Sequence, residues 1–536
     1  MSPPGPVVVT AAPGGGGVLR AVDPTGTPAG PAEHVADLAA ALRERTASRL
    51  VWPDTAAVYP ALLRAGVRVE RCHDLALTEA LLVAHDGQWG APRSLAAAWA
   101  RLRGLEVPPD AAQGAADRQD TLFTASRDPV PEGADPLAAA VAVYAEQVRR
   151  IGALPRFDLL VAIESAGALA AVEMTAAGLP WRPDVHSGVL AELLGPRVPA
   201  GVRPARLASL AEEIGVAFGR PVNPDSPAEV LRSFSRAGVE LPSTRSWVLR
   251  QVDHPAVAPL LVYKELARIH AANGWAWQDE WVSGGRFRPE YVPAGVVSGR
   301  WATRGGGGLQ IPRRLRPAVL ADPGHVLVVA DAGQLEPRVL AALSGDPAMV
   351  RAAGDADLYA ALAAESFDGD RDRAKIGLLA AMYGQTGGTA AVPLAVLRRR
   401  YPVALDLLED AAAVGERGGL VRSHLGRTCP PGSPADPGAA RARGRFTRNF
   451  VVQATAAEWA GALLAGLRRR VAAVDGAELV FFQHDEVVVH APREAADEVE
   501  AAVHAAGVDA GRLLFSGSGV AFPLVAAAAE CYADAH

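Results

Sequence analysis

Two adjacent carboxylates, Asp485 and Glu486, follow His484 within the stretch 481–490. Apolar residues flank them on both sides, and residues 487–489 are typical of a buried strand. The pattern predicts a β-hairpin with His484, Asp485 and Glu486 at its tip. Neighbouring acids at such a tip repel each other and lose hydration, and a bound cation would remove that cost. A solvated acidic turn is the alternative that this stretch alone leaves open.

Another carboxylate, Asp331, ends the most regular apolar strand pattern of the chain, residues 324–331. Arg371 and Lys375 are four residues apart in a helical pattern and therefore lie on one helix face. Two carboxylates on different strands can hold two Mg²⁺ ions about 3.5–4 Å apart, with cationic side chains opposite to bind a triphosphate. Together these residues would supply what nucleotidyl transfer needs. One ion would acidify a primer 3′-hydroxyl and the other would neutralise the leaving pyrophosphate.

The elements that must position these residues follow from periodicity. Residues 1–125 alternate short apolar runs with turns and helical stretches, which predicts a small α/β unit, and helices dominate from Asp135. Ser226 is expected to cap a helix that begins at Pro227, and residues 430–440 are typical of a Pro/Gly-rich loop. The expected strands are 6–10 and 324–331. The expected helices are 32–45, 59–65, 75–84, 136–150, 157–177, 257–272, 334–343, 358–366, 371–383, 393–401, 404–415, 446–471 and 492–506.

The composition is that of a globular protein, with 50% hydrophobic and 21% charged residues and a net charge of −6. Basic residues are nonetheless clustered, at 313–316, 398–400, 441–448 and 468–470, and phosphate contacts depend on such local clusters. The three cysteines are too scattered for a metal site or a disulfide framework. The absence of a leader pattern and of an apolar run of membrane-spanning length predicts a soluble, intracellular protein.

In order and spacing these residues resemble the motifs of the family A DNA polymerases, the class of bacterial DNA polymerase I. Residues 331–338, Asp-Ala-Gly-Gln-Leu-Glu-Pro-Arg, resemble its first catalytic motif, Asp-Tyr-Ser-Gln-Ile-Glu-Leu-Arg. Arg371 and Lys375, followed by Tyr383-Gly384, resemble the second motif, and His484-Asp485-Glu486 resembles the third. Residues 299–312 resemble the primer-template strip, and 445–457 resemble the helix that contacts the duplex minor groove. The resemblance covers roughly residues 157–536.

The resemblance implies a role for each matching residue. Asp331 and Asp485 would bind two Mg²⁺ ions, which Mn²⁺ could replace, with help from the Ala332 carbonyl and from Glu486. Lys375 would also act in catalysis, by protonating pyrophosphate. Glu336 would lie under the sugar and exclude a 2′-hydroxyl. The implied nucleotide-binding residues are Arg371, Lys375, Leu379, Tyr383, Glu336 and Gln334. The implied DNA-binding residues are Arg300, Gln310, Arg445, Asn449, Gln453, His484, Lys264 and Arg268.

Some positions depart from the family pattern. Leu379 stands where the family usually carries an aromatic ring that packs on the incoming nucleotide, and Ala332 replaces an aromatic residue beside the first aspartate. Residues 305–308 are all glycine, and Ile311 follows Gln310 where an asparagine is usual. None of these changes removes a proposed metal ligand, so an active polymerase with altered kinetics is expected.

The resemblance also implies a fold class and a domain order. Residues 1–125 would form an α/β, ribonuclease H-like domain related to the 3′–5′ exonuclease domain of the family. The rest would form an α+β polymerase domain, with linker helices and thumb at 126–290, palm and fingers at 291–536, and fingers at about 347–440. The first 125 residues contain neither the Asp-x-Glu pair nor the Tyr-x-x-x-Asp motif that proofreading requires, so the exonuclease-like domain is expected to be degenerate.

The sequence therefore predicts a DNA-directed DNA polymerase in replication and repair that extends primer-template DNA with dNTPs and does not proofread. It is expected to be a bacterial, cytoplasmic, nucleoid-associated monomer without membrane contact. Open alternatives are a non-catalytic DNA-binding relic, a bifunctional 3′–5′ exonuclease and polymerase, and a nuclease acting through the N-terminal domain. A single-subunit RNA polymerase of the phage type is disfavoured by Glu336 and by the His-Asp-Glu triplet.

Overall fold

The computed structural model describes residues 5–45, 47–110, 130, 134–199, 201–304, 307, 311–385 and 390–535. The chain divides into two compact units. The first unit comprises Met1–Ala176, Tyr291–Ala302 and Val328–Ala527, and the second comprises Ala177–Glu290, Thr303–Leu327 and Ala528–His536. The first unit therefore contains both the N-terminal residues and the acidic residues of the first and third motifs.

The N-terminal region is a mixed sheet covered by helices. Its strands have the order β3-β2-β1-β4-β5. Strand β2 pairs antiparallel with both β1 and β3, whereas β4 pairs parallel with β1 and β5 pairs parallel with β4. Along β1, Val7 and Val9 enter one apolar cluster and Val8 enters another, so both sheet faces are buried. The strands are β1 (Val7–Ala11), β2 (Gly17–Ala21), β3 (Glu33–Val35), β4 (Arg49–Trp52) and β5 (Arg71–Asp74). The helices are α1 (Leu38–Arg43), α2 (Thr55–Arg64), α3 (Leu75–His85), α4 (Leu95–Arg103), α5 (Pro136–Gly152) and α6 (Phe157–Ala177).

One helix expected here is shorter than its pattern suggested. Residues 33–35 form the edge strand β3 instead of the first turn of a helix at 32–45, because they pair with residues 17–19 of β2. Helix α1 begins only after Asp37, whose carboxylate accepts a hydrogen bond from the Ala40 N–H at 2.9 Å. Pairing between strands thus overrides the local helical pattern at this position.

The buried His73 on β5 makes this region sensitive to acid. Its Nε2 lies 2.9 Å from the Oε1 of Gln147, whose own amide donates to the Leu75 carbonyl. Burial lowers the pKa of His73 from 6.5 to about 4. The folded state therefore binds fewer protons than the unfolded state below pH 6.5. The stability that neutral His73 contributes is complete above pH 6.5 and is lost progressively as the pH falls towards 4.

We expect His73→Gln to weaken the pH dependence of stability between pH 6.5 and 5. At about 1.4 kcal/mol per pH unit, the wild type should lose about 2 kcal/mol over this range through His73 alone. Urea unfolding followed by tryptophan fluorescence at several pH values measures the difference between wild type and variant. The exposed His504 provides the matched control, since His504→Gln should leave the wild-type slope unchanged. Parallel slopes for wild type and His73→Gln would contradict the assignment.

The second region, residues 179–304, is mostly helical. Helix α9 begins as expected, with Pro227 in its first turn and the Ser226 hydroxyl accepting from the Glu229 N–H at 3.3 Å. The strands are β6 (Leu179–Pro180), β7 (Val282–Ser283), β8 (Arg286–Phe287), β9 (Glu290–Val292) and β10 (Ala302–Arg304). The helices are α7 (Pro183–Leu194), α8 (Ala205–Ala217), α9 (Pro227–Arg236), α10 (Ser246–Leu249), α11 (Val257–Asn273) and α12 (Trp275–Trp281).

The C-terminal region contains a sheet with the order β12-β13-β11-β14, and β12 and β13 form an antiparallel hairpin. Helix α19 begins at Pro437, inside the loop expected at 430–440, because Asp436 caps it by accepting from the N–H groups of Gly438 and Ala439. The strands are β11 (His325–Ala332), β12 (Glu478–Gln483), β13 (Glu486–Pro492) and β14 (Leu524–Ala529). The helices are α13 (Leu335–Ser344), α14 (Pro347–Ala352), α15 (Leu358–Ser366), α16 (Arg371–Tyr383), α17 (Ala391–Arg400), α18 (Pro402–Glu416), α19 (Pro437–Val471) and α20 (Ala496–Phe515).

Helices α6 and α19 are long and apolar enough, by length and composition, to cross a membrane. Their most apolar windows are 67% and 72% buried inside the protein. Helix α19 is in addition tied to the N-terminal region by Arg468, which pairs with Glu173 of α6 and donates to the carbonyls of Val69 and Glu70. This burial is typical of core helices.

Candidate active site

The β12–β13 hairpin presents its acids at a two-residue turn. Gln483 pairs with Glu486, so His484 and Asp485 form the turn and Glu486 already belongs to β13. His484 adopts a left-handed conformation with φ of 59°, which a tight turn of this kind requires. The hairpin expected from the sequence is thus present, with a tip one residue shorter than expected.

A backbone hydrogen bond joins this turn to the end of β11. The Ala332 N–H donates to the Asp485 carbonyl at 3.1 Å. Since β11 and β13 are neighbours in the sheet, this bond places Asp331 and Asp485 beside each other although they are far apart in sequence. Glu486 is buried on the same edge and acts electrostatically on Asp331.

The pKa values of both aspartates are raised. Burial, the Asp331 charge and the Glu336 charge raise the pKa of Asp485 to about 7, against the opposing effect of the Arg300 guanidinium. Asp331 is open to solvent on one side, yet the surrounding protein and the Glu486 charge raise its pKa to about 6. Carboxylates with raised pKa values repel each other when ionised, and a shared cation would relieve that repulsion. The donor set that fits such a cation is the two aspartate carboxylates with the Ala332 carbonyl.

Within the described ranges, no group of three or more His, Cys, Asp or Glu side chains converges as a metal site. The pair of aspartates would therefore supply only part of a coordination shell. Mg²⁺ prefers oxygen ligands and usually keeps several positions for water or for substrate phosphates. A two-carboxylate site fits that preference, since the remaining positions would be open to a substrate.

Glu336, in the first turn of α13, is held by two other predicted site residues. Arg300 forms an ion pair with its carboxylate, and the Tyr383 hydroxyl donates to Glu336 Oε2 at 3.3 Å. Burial and the Glu336 charge raise the pKa of Tyr383, while Asn449 of α19 acts in the opposite direction. These contacts connect the segment before β10 and the helices α13, α16 and α19 around one carboxylate.

Helix α16 carries a stripe of predicted nucleotide-binding residues at intervals of four, Arg371, Lys375, Leu379 and Tyr383. Arg371 is fixed by Asp357, whose Oδ2 lies 2.8 Å from its Nε, and by the Tyr359 ring at 5.5 Å. Lys375 is exposed and makes no hydrogen bond or ion pair with the part of the chain that is described. The stripe thus offers one preoriented guanidinium and one available ammonium group.

The end of this stripe packs closely on α19. Gly384 ends α16 with a φ of +69° and contacts the Arg445 side chain. A Cβ at this position would come within 2.8 Å of the Arg445 Cγ. Arg445, Asn449 and Gln453 follow one another at intervals of four along one face of α19. The predicted DNA-binding residues of this helix therefore form a continuous row that begins beside the end of α16.

Gln334 has a different environment from the one that its predicted role suggests. It takes a left-handed conformation with φ of 58°, and its Nε2 donates to Asp357 Oδ1 at 2.9 Å while its Oε1 accepts from the Leu358 N–H at 2.8 Å. Its amide therefore links the start of α13 to the start of α15. Nucleotide binding by Gln334 stays a prediction.

Two residues important for this geometry were not assigned a role from the sequence. Asp357 joins Gln334 and Arg371, and Arg338 is fully buried and donates to five backbone carbonyls, those of Gly333, Ala353, Asp355, Ala356 and Ala521. Arg338 could have been identified from the sequence as a structural residue, because a long cationic side chain in an apolar helix needs buried acceptors. Asp357 could have been identified as a helix cap, but its contact with Arg371 depends on the tertiary fold.

Two of the remaining predicted DNA-binding residues belong to the second unit. Lys264 and Arg268 lie one turn apart on α11 in the second unit, where Lys264 donates to the carbonyl and hydroxyl oxygens of Thr244. Desolvation lowers the pKa of Lys264. Gln310 lies outside the described residues.

Known proteins with similar sequences point to one family. Residues 203–512, more than half of the chain, match the model of DNA polymerase family A. Similar curated proteins include a thermostable DNA polymerase I of Thermus thermophilus, 27% identical over 349 residues, which covers 55% of this chain and 41% of that protein. Another is a DNA polymerase I of Chloroflexus aurantiacus, 27% identical over 316 residues, which covers 54% of this chain and 33% of that protein. The chain therefore matches less than half the length of these relatives.

The fold resembles a solved polymerase structure over nearly its whole length. The polymerase domain of Pol1 from M. smegmatis, solved with DNA primer-template and dNTP, has a TM-score of 0.73 and 18% sequence identity. The similarity covers 99% of this chain and 96% of that one. Because residues 203–512, more than half of the chain, match the family model, the chain belongs to DNA polymerase family A.

Proposed function

We propose that this chain is a DNA-directed DNA polymerase that adds dNTPs to a primer 3′-hydroxyl. The observation that carries the proposal is the hydrogen bond from the Ala332 N–H to the Asp485 carbonyl, because it sets Asp331 and Asp485 side by side. Primer extension with Mg²⁺ and labelled dNTP tests the proposal. Absence of template-directed incorporation by the folded protein would reject it, and preferential use of NTPs would favour an RNA polymerase.

Family A polymerases use divalent metals, and the residues here fit two Mg²⁺ ions, which Mn²⁺ could replace. Asp331 and Asp485 would hold them, with the Ala332 carbonyl assisting and Glu486 supporting the site. Bound ions supply a more acidic 3′-hydroxyl and neutralise charge on the transferred phosphates. The protein contributes the orientation of the two carboxylates, which the β11–β13 pairing fixes before substrate binds.

The cationic stripe of α16 would bind the triphosphate. Arg371 is oriented by Asp357 and can offer its remaining guanidinium donors to phosphate oxygens. Lys375 is exposed and has space to approach the phosphates, where it would also donate a proton to the departing pyrophosphate. Leu379 and Tyr383 would border the nucleotide and the template base, with Leu379 supplying an aliphatic surface in place of a ring.

Glu336 would select the sugar. Arg300 and Tyr383 fix its carboxylate, so it cannot easily move away from a 2′-hydroxyl placed against it. We expect Glu336→Ala to raise the ratio of NTP to dNTP incorporation about tenfold or more, the range that one steric or polar contact supplies. Single-nucleotide insertion kinetics with dCTP and CTP measure the ratio. Glu498→Ala, at an exposed position of α20, is the control, and an unchanged ratio in Glu336→Ala would contradict this role.

The row on α19 would contact the primer-template. Arg445, Asn449 and Gln453 offer donors that suit minor-groove acceptors, which are similar for all correct base pairs. Arg300 and His484 would contact DNA near the turn, and Gln310 would do so from the strip before Ile311. Lys264 and Arg268 would contact the phosphate backbone.

The architecture supports the assignment of palm, fingers and thumb. The β11–β14 sheet would be the palm, residues 347–440 the fingers, and residues 126–290 the linker helices and thumb. The N-terminal sheet order β3-β2-β1-β4-β5, with three antiparallel and two parallel strands, fits a ribonuclease H-like, exonuclease-like domain at 1–125. As a bacterial polymerase, the protein would act as a monomer in the cytoplasm, in association with the nucleoid, in replication and repair.

The N-terminal domain should lack proofreading. Strand β1, Val-Val-Val-Thr-Ala, carries no carboxylate, and Asp74 caps α3 and accepts from the Thr55 N–H at 2.7 Å. We expect no excision of a mismatched 3′ nucleotide above the background of the same reaction in EDTA, because strand β1 carries no carboxylate and Asp54 and Asp74, at the ends of β4 and β5, are both engaged as helix caps. A 5′-labelled mismatched primer incubated with Mg²⁺ in the absence of dNTP measures excision. Rapid shortening of that primer would reveal a bifunctional enzyme and overturn the prediction.

A further inference from the structure

An arginine-rich groove of about 600 Å³ lies between the N-terminal sheet and helices α6, α19 and α20. All its lining residues belong to the first unit. Among the described residues that line it are six arginines and two acids, Glu70 and Asp509. The groove therefore has a strong local excess of positive charge in a chain with a net charge of −6.

Some of these arginines form ion pairs within the protein, and others do not. Arg468 is buried against Glu173, and Arg470 pairs with Asp509 at 2.5 Å. Arg49, Arg469 and Arg512 form no hydrogen bond or ion pair with any part of the chain that the structure describes. One guanidinium group can donate two parallel hydrogen bonds to two oxygens of a phosphate, which an ammonium group cannot do.

A further arginine has donors to spare. Arg71 gives one Nη2–H to the Ala47 carbonyl at 2.8 Å, while its Nε is buried without a partner among the described residues. A buried donor without an acceptor is costly, and a bound anion would supply the missing acceptor. The groove thus combines exposed cations at its mouth with an unsatisfied donor on its wall.

The floor of the groove is apolar. This floor is formed by Leu159 and Ile163 of α6 together with Ala462 and Ala465 of α19, and the small alanine side chains leave space that larger ones would fill. Pockets for small molecules usually enclose 300–1,000 Å³ and combine an apolar lining with a few polar groups. The groove therefore suits a ligand with a flat apolar body and several negative charges.

We propose that this groove binds a nucleoside polyphosphate, with the base and sugar over the apolar floor and the phosphates at Arg469, Arg512 and Arg49. It is separate from the candidate active site, because no lining residue is shared. Along α19, Gln453 and Arg469 are sixteen residues apart, or about 24 Å at 1.5 Å per residue. The proposal does not depend on the chain being a polymerase.

The test is calorimetric titration of the full chain with α,β-methylene-ATP in EDTA. All variants carry Lys375→Ala, so that the triphosphate site proposed on α16 contributes little to the measured binding. We expect one nucleotide per chain and a loss of at least tenfold in affinity when Arg469→Ala and Arg512→Ala are combined. Arg232→Ala with Arg236→Ala, which removes two exposed arginines one turn apart on α9, should change nothing. Equal affinity in the groove variant, or loss of all binding in Lys375→Ala alone, would overturn the proposal.

Two further titrations define the ligand. Inorganic pyrophosphate should bind at least tenfold more weakly than the nucleotide, and Ala465→Leu, which fills the floor without changing charge, should weaken only the nucleotide. Equal binding of pyrophosphate and nucleotide would show that the groove holds any polyanion and would overturn the assignment of a nucleoside. A single-stranded oligonucleotide that binds more tightly than the nucleotide and depends on Arg469 and Arg512 would overturn it in favour of DNA.

Discussion

Replacing Asp485 by Asn is expected to lower Mg²⁺-dependent primer extension at least about 10³-fold, a barrier increase of about 4 kcal/mol, while primer-template binding persists. Asp485 is one of the two aspartates that the β11–β13 pairing brings together, so the substitution leaves only one of these two carboxylates for the cations. Without it, neither the attacking oxygen nor the departing phosphates would be stabilised during transfer.

This substitution also predicts an effect on stability that separates it from simple misfolding. Burial and the Asp331 charge raise the pKa of Asp485 to about 7, so its ionised form is unfavourable in the folded protein without a cation. Above pH 7 in EDTA, Asp485→Asn should therefore match or exceed the wild-type melting temperature. Asp475→Asn, at an exposed position before β12, is the control for both measurements. Near-normal extension by Asp485→Asn would contradict the role of this aspartate.

Replacing Lys375 by Ala is expected to lower kcat/KM for dNTP about 10²–10³-fold. Lys375 is exposed, has no partner among the described residues and follows Arg371 by one helix turn, so it provides a charge that the protein does not otherwise use. Removing one charge-assisted contact to a transferred phosphate costs about 3–4 kcal/mol. Single-turnover incorporation at varied dNTP concentration measures the effect.

The matched control for Lys375 is Arg373 on the same helix. Arg373 is also exposed but lies two residues away, so it projects from a different face of α16. Arg373→Ala should keep kcat/KM within about twofold, since surface substitutions away from a site have small effects. Similar losses in both variants would indicate a general electrostatic effect of the helix and would contradict a specific contact by Lys375.

Local patterns were sufficient to predict several elements that carry the site. Helix α16 spans Arg371–Tyr383 as expected, because Asp370 caps its start and Gly384 ends it in the left-handed conformation. The hairpin at Asp485 was predictable from the alternation of apolar residues around a polar turn. The strand before Asp331 was predictable for the same reason, although it extends one residue further, to Ala332.

Other features depend on contacts between residues distant in sequence and could not be derived from local patterns. Arg300 pairs with Glu336, and Arg371 pairs with Asp357, through tertiary proximity alone. The family resemblance suggested DNA contact for Arg300 and nucleotide contact for Gln334, and both side chains are engaged by the protein here. Their predicted roles require the substrate to compete with these contacts or to share the remaining donors.

We propose that Asp331 and Asp485 share a pair of divalent cations. The most direct measurement is anomalous diffraction from a crystal of the full chain with Mn²⁺, primer-template and a non-hydrolysable dNTP. We expect two Mn²⁺ peaks about 3.5–4 Å apart, both bound by the carboxylates of Asp331 and Asp485. With the nucleotide bound beside α16, an absence of Mn²⁺ at these two carboxylates would contradict their role as metal ligands.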